Sequence, residues 1–173
     1  MKKYVNVWDY AGAITGQLDD GVLLTTKADG KVNTMTIGWG FLGVLWGKPV
    51  FTVLVRKSRY TMELLEKNPE FTVNIPLGAY DKKIIGVCGT ASGRDTDKIA
   101  DLHLTPEEPD TVSVPAIKEL PLTLECKVIY KQPQDPGAIP ESDMAHYYGK
   151  GTKNEEDYHT AYYGLITKAY IVE

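Results

Sequence analysis

Residues 122–131 alternate more strictly than any other stretch of the chain. Leu122, Leu124, Cys126, Val128 and Tyr130 fall on one side, and Thr123, Glu125, Lys127 and Lys131 on the other. Successive side chains of a strand point to opposite faces, so this pattern predicts a long strand with one face in a core and the other in water. Five more stretches read as strands. Val22–Thr26 and Val32–Trp39 flank an Asp29-Gly30 turn and make a hairpin. Val50–Val55 is apolar almost throughout, which predicts cover on both faces, inside a barrel or at a subunit contact. Phe71, Val73 and Ile75 alternate with Thr72 and Asn74 before Pro76, and Thr160–Val172 closes the chain. The helices between them are short: Arg59–Asn68, stopped by Pro69; one or two turns over Lys82–Cys88; and Asp95–Ala100, after a small-residue loop at Gly89–Arg94. Six strands with such connections predict a mainly β, largely antiparallel barrel rather than an α/β sheet.

At 173 residues the chain is expected to form a single domain over 1–173, large enough to bury a core without staples. Residues 132–156 are polar and rich in Pro and Gly, and read as a surface insertion with a helical turn near Pro140–Tyr147. A net charge of −4 with scattered Lys and Arg argues against nucleic acid as a partner. No apolar run approaches the roughly 20 residues of a membrane span, and the first residues carry no signal-like apolar stretch, so the expected location is cytoplasmic. Cys88 and Cys126 form no Cys-x-x-Cys pair, and His103, His146 and His159 stand alone, so no metal site is expected and both thiols read as small buried hydrophobes. Glycine motifs of dinucleotide folds, P-loops and hydrolases are absent.

Three segments carry chemistry. Asn33, Thr34, Met35 and Thr36, with Trp39 behind them, set polar groups and an indole at a strand end; they suit a flat aromatic ligand with a polar edge, or form a strand whose Trp is core. Ser58, Arg59 and Thr61 sit at a helix start, suiting a phosphate or serving as an ordinary cap. Gly89–Arg94, with Ser92, leads to Lys98 and repeats that logic, against a solvated loop with a surface lysine.

The chain resembles the flavin reductase-like, FMN-binding split-barrel family, its flavoredoxin branch in particular. The resemblance rests on Asn33-x-Met35-Thr36-x-x-Trp39, Pro49, Ser58-Arg59-x-Thr61, Phe71-Thr72-Val73-Asn74, Cys88-Gly89-Thr90-x-Ser92-Gly93-Arg94-Asp95-x-Asp97-Lys98 and Leu124-Glu125-Cys126-Lys127-Val128, in register from about residue 18 to 130. It implies a six-stranded antiparallel Greek-key split barrel that forms a homodimer with FMN near the subunit boundary. Asn33 and Trp39 would contact the flavin, and Thr61 and Lys98 would grip its phosphate and ribityl chain. Family members carry Gly-Asp-His-Thr before the last strand, and here Asp157-Tyr158-His159-Thr160 stands in its place. His159 is the counterpart of a histidine near the flavin that assists nicotinamide binding or proton movement, or else it is a solvent-facing residue at a strand edge. The implied activity is electron transfer from NADH or NADPH through FMN to an acceptor. The alternatives are an FMN carrier reduced by a redox protein partner, and a non-redox binding module.

Overall fold

The structure, a computed structural model, describes residues 1–173. Six strands form the framework where the sequence places them: β2 (Val22–Ala28), β3 (Lys31–Ile37), β5 (Lys48–Arg56), β6 (Glu70–Ile75), β9 (Leu122–Pro133) and β10 (His159–Val172). Two further strands join them, β1 (Lys2–Tyr4) on β10 and β4 (Gly40–Leu45) on β5. The antiparallel sheet runs β3-β2-β6-β9-β10-β5-β4. β3 and β4 are its two ends and do not pair, so the barrel is split between them. A separate two-stranded piece pairs β7 (Pro106–Glu107) with β8 (Ala116–Ile117).

Two tight turns set the register at these ends. Asp29 (φ 51°) and Gly30 (φ 76°) join β2 to β3, and Trp46 (φ 52°) and Gly47 (φ 71°) join β4 to β5. Positive φ at both central residues twists a two-residue hairpin loop with its strands. The second hairpin was not read from the sequence, because Gly40–Leu45 lacks alternation.

The helices are α1 (Ala11–Gln17), α2 (Tyr60–Lys67), α3 (Lys82–Thr90), α4 (Lys98–Asp101) and α5 (Glu141–Tyr148). Asp81 caps α3 by accepting from Lys83 N, and Asp97 caps α4 by accepting from Ile99 N and Ala100 N. The cap moves the predicted Asp95–Ala100 helix three residues on. It also makes Lys98 the first helical residue, and Gly89 and Thr90 of the predicted loop belong to α3.

The main core lies inside the sheet and contains Leu24, Phe51, Val53, Leu65, Phe71, Leu124, Cys126 and Tyr162. At Gly164 it leaves no room for a side chain: a Cβ would overlap the Phe71 ring and lie 2.8 Å from Cys126 Cβ. A second cluster, with Leu23, Ile84, Cys88, Leu104, Ile117 and Leu120, covers the outer face of β2 and β6. The segment before β9 corrects the expectation of a wet face on that strand. Thr123 and Glu125 are buried, and the Glu125 carboxylate accepts from Asp110 N (2.7 Å), Thr111 N (2.6 Å) and Thr111 Oγ1 (2.6 Å). Only from Lys127 onward does that strand reach solvent. The two cysteines sit in different clusters and are free.

Candidate functional site

The site lies along the open side of β3. By the alternation of a strand, Asn33, Met35 and Ile37 face the barrel side, and Thr34 and Thr36 face the second cluster. The hydroxyl of Thr34 meets Thr25 Oγ1 at 3.1 Å, and that of Thr36 donates to Ile85 O at 2.6 Å. Both hydroxyls therefore have partners within the fold, while Thr36 also lines the second cleft, beside Trp39, and Thr34 a wider opening past Lys98. Asn33 is buried and donates through Nδ2 to Thr61 Oγ1 on α2 (3.0 Å). That bond uses the Thr61 hydroxyl as an acceptor from another element. α2 has no side-chain cap at all, so the ordinary-cap reading of Ser58 and Thr61 does not hold.

Asn33, Met35, Ser58, Arg59, Thr61, the end of α3 with the turn after it (residues 89–94) and Lys98 enclose a cleft of about 170 Å³. Lys98 is 4% exposed, and its ammonium donates to Ala91 O at 3.1 Å. Burial holds its pKa below the usual lysine value. Gly93 presses on the same place: a Cβ there would overlap Asn33 Oδ1 and come within 3.0 Å of Tyr60 Cδ1. Bare backbone is required at that point. Ser92 lies in the turn, with Oγ accepting from Arg94 N at 3.2 Å. Arg94 pairs with Glu63 and donates to Ser58 O (2.9 Å), so its charge is answered within the chain. A wider opening of about 540 Å³ continues past Lys98 along Lys31–Thr34 and Asp95–Ile99.

A second cleft, of about 190 Å³, adjoins the first through Met35 and Arg59 and is walled by Gly38, Trp39, Leu54, Arg56 and His159. Trp39 is 40% exposed, so it is not a core residue. Its ring meets His159 at 4.9 Å and Tyr147 at 5.0 Å. The Arg56 guanidinium lies over Trp39 at 6.0 Å and over Tyr148 at 5.3 Å. His159 is 6% exposed, which overturns the solvent-facing alternative. Burial first, and then the neighbouring Arg56 charge, lower its pKa to about 4, so the imidazole is neutral at pH 7.

The flavin reductase-like domain family matches residues 19–172. The chain belongs to the flavin reductase-like family. Two solved structures agree. Flavoredoxin of Desulfovibrio vulgaris is 25% identical, with a TM-score of 0.66 over 88% of this chain and 69% of that one. Flavoredoxin of Methanosarcina acetivorans is 28% identical, with a TM-score of 0.63 over 88% of this chain and 68% of that one. An uncharacterized protein of Archaeoglobus fulgidus is 35% identical over 99 residues, 57% of this chain and 55% of that protein, so the match spans little more than half of the relative's length.

In this flavin reductase-like chain several residues at the clefts escaped sequence reading. Arg56 and Leu54 sit at the end of β5, a position that the apolar run of that strand hides. Asp157 accepts from Ser58 N (3.0 Å) and Ser58 Oγ (2.6 Å), while its own carbonyl accepts from Arg56 Nη1 (3.0 Å). The Ser58 hydroxyl proton is thus given to Asp157, and Ser58 lines the first cleft with its oxygen left to accept. The 132–156 segment is no mere surface excursion either, since α5 brings Tyr147 onto Trp39 and Tyr148 onto His159. In the sequence the Tyr147-Tyr148-Gly149 run already offers an aromatic to the open face of a ring.

Proposed function

We propose that the chain, acting as one domain, binds FMN across the two adjoining clefts and passes electrons from NADH or NADPH through it to an acceptor. One observation carries the reading: a narrow cleft with a buried ammonium opens directly into a cleft walled by an indole and an imidazole. The residues suit the group. Lys98 has one acceptor within the chain and two N–H groups left to donate, Arg59 enters no ion pair, and Gly93 offers backbone where no Cβ fits. In this reading Lys98 and Arg59 hold the phosphate with the Ser92–Gly93 backbone, Asn33 and Thr61 take the ribityl chain, and the Met35–Trp39 segment lies against the ring system. The bound flavin supplies acceptance of a hydride and release of its electrons to a second acceptor. The chain's own part is to fix the cofactor and exclude water from one of its faces with Trp39, Tyr147 and His159. The names of the Desulfovibrio and Methanosarcina relatives support a redox role, as does membership in the family.

The test is the absorbance of the FMN-loaded protein during anaerobic titration. The reading expects bleaching of the flavin band by NADH or NADPH. Bleaching by dithionite with none by either nucleotide would replace the nicotinamide step with reduction by a redox protein.

We also propose that the working form is a homodimer built on the β4 edge. Phe41 and Val44, each 65% exposed on a strand with no outer partner, and Trp46, 67% exposed in the turn that follows it, together invite a second copy. Light scattering should give twice the 19.2 kDa chain mass at micromolar concentration. The single-chain mass with flavin bound would refute the dimer.

A further inference from the structure

Gln134 and Tyr148, both from the segment between β9 and β10, meet His159 in a closed set of hydrogen bonds whose proton positions follow from chemistry alone. The His159 backbone N–H donates to Gln134 Oε1 at 2.9 Å. An N–H can only donate, so the oxygen of the Gln134 amide, and not its nitrogen, faces this corner. The backbone fixes the corner from the other side too, since Gln134 N donates to His159 O at 2.9 Å. Tyr148 Oη lies 3.0 Å from that same Oε1. A carboxamide oxygen carries no hydrogen, so the phenol must donate to it. Tyr148 Oη also lies 2.7 Å from His159 Nδ1, and its one proton is already used. Nδ1 must therefore carry the hydrogen and donate it to the phenol oxygen.

We infer that Gln134 and Tyr148 are positioning residues that hold His159 as the Nδ1–H tautomer, leaving Nε2 as a bare acceptor at the wall of the second cleft. Nε2 forms no hydrogen bond within the chain, and His159 lines that cleft beside Trp39. The charged and titratable groups around the ring are Arg56, Arg59 and Asp157, with Tyr148 on Nδ1. With the ring buried first of all, and the Arg56 and Arg59 guanidinium groups nearby, the neutral ring persists at pH 7 and the acceptor character with it. The cleft therefore selects a ligand group that donates a hydrogen bond, such as an amide, imide or hydroxyl, and discriminates against a carbonyl or carboxylate oxygen at that point. Under the flavin reading, the carboxamide NH₂ of a reduced nicotinamide is a group of this class. The tautomer itself rests on none of that reading.

The test is ¹⁵N NMR of histidine-labelled protein without flavin at pH 7, with the His159→Gln variant identifying the His159 signals. The expected result is a protonated Nδ1 and an unprotonated Nε2 in the unaltered chain. Gln134→Leu removes the acceptor, freeing the phenol to donate to Nδ1, and should swap the two nitrogens. Gln134→Glu keeps an acceptor and should retain the original pattern, so that the swap in Gln134→Leu is traced to the lost acceptor. Tyr148→Phe should give a mixture of tautomers. An unprotonated Nδ1 in the unaltered chain, or an unchanged pattern in a folded Gln134→Leu variant, overturns the inference. Because the spectra are taken without flavin, neither result decides whether the clefts bind FMN, and failure to bind FMN leaves the tautomer assignment standing.

Discussion

Combining Arg59→Ala with Lys98→Ala is expected to weaken FMN binding by about 3 to 6 kcal/mol, more than a hundredfold in Kd, while leaving riboflavin binding nearly unchanged. Each cation would supply charge-assisted bonds to the phosphate, at about 1.5 to 3 kcal/mol apiece. The Lys98 share should be the larger, because its ammonium is buried with a single carbonyl, Ala91 O, to answer it, and a charge acts most strongly where water is excluded. Folding is not expected to suffer, since removing a poorly compensated buried charge relieves a desolvation cost. Arg94 serves as the internal comparison: it lies at the same turn, but Glu63 and Ser58 O already take its donors. Fluorescence-quenching titrations with both ligands provide the readout. A double variant that still prefers FMN over riboflavin as strongly as the unaltered chain would show that these cations do not hold the phosphate.

Acid should destabilise the chain well before its carboxylates titrate. His159 has a folded pKa of about 4 against an ordinary value of 6.5, so between those pH values the unfolded chain binds a proton that the folded chain refuses. Stability therefore falls as pH falls through this window; it is fully present above 6.5 and lost by about 4. Two and a half pH units correspond to about 3 kcal/mol, a large share of a domain's total. Carboxylates held low by their partners, Glu66 by Lys131 and Tyr162 and Asp110 by Lys2 and Tyr4, withdraw their contribution only below their ordinary values, 4.5 and 3.8. Urea midpoints at pH 7 and pH 5 should accordingly differ in the unaltered chain and differ much less in His159→Gln. An equal pH dependence in both proteins would place the proton uptake elsewhere.

The strands were legible wherever one stretch of sequence carries its own signal. Alternation exposed β6 and β9, and the Asp29-Gly30 dipeptide exposed the β2–β3 hairpin. β4 was hidden because Gly40 and Gly43 interrupt any pattern, although Trp46-Gly47 has the same backbone geometry as the turn that was found. The two-sided burial of Thr123 and Glu125 was invisible because their cover, Thr111 and the Pro115–Leu120 stretch, is held by tertiary contacts and not by local pattern. The same division runs through the site. Asn33, Thr61 and Lys98 were each readable in short motifs, but no motif says that Asn33 donates to Thr61. Arg56, Gln134 and Asp157 gain their meaning from partners brought together by the β5–β10 and β9–β10 pairings, about 100 residues apart in the first case. Thr34 and Thr36 show the same limit: their hydroxyls meet Thr25 and Ile85, contacts that a motif read residue by residue does not register.

The central claim is that the narrow cleft around Lys98 and Gly93 is a phosphate grip, with the Trp39 and His159 cleft beside it for a flat aromatic ring. Titrating the unaltered, flavin-free protein with FMN and with riboflavin, under one set of salt and pH conditions, tests it most directly. The account predicts that FMN binds at least about tenfold more tightly, the least that one charge-assisted phosphate contact should give. Equal affinities for the two flavins, or no quenching by either, would contradict it.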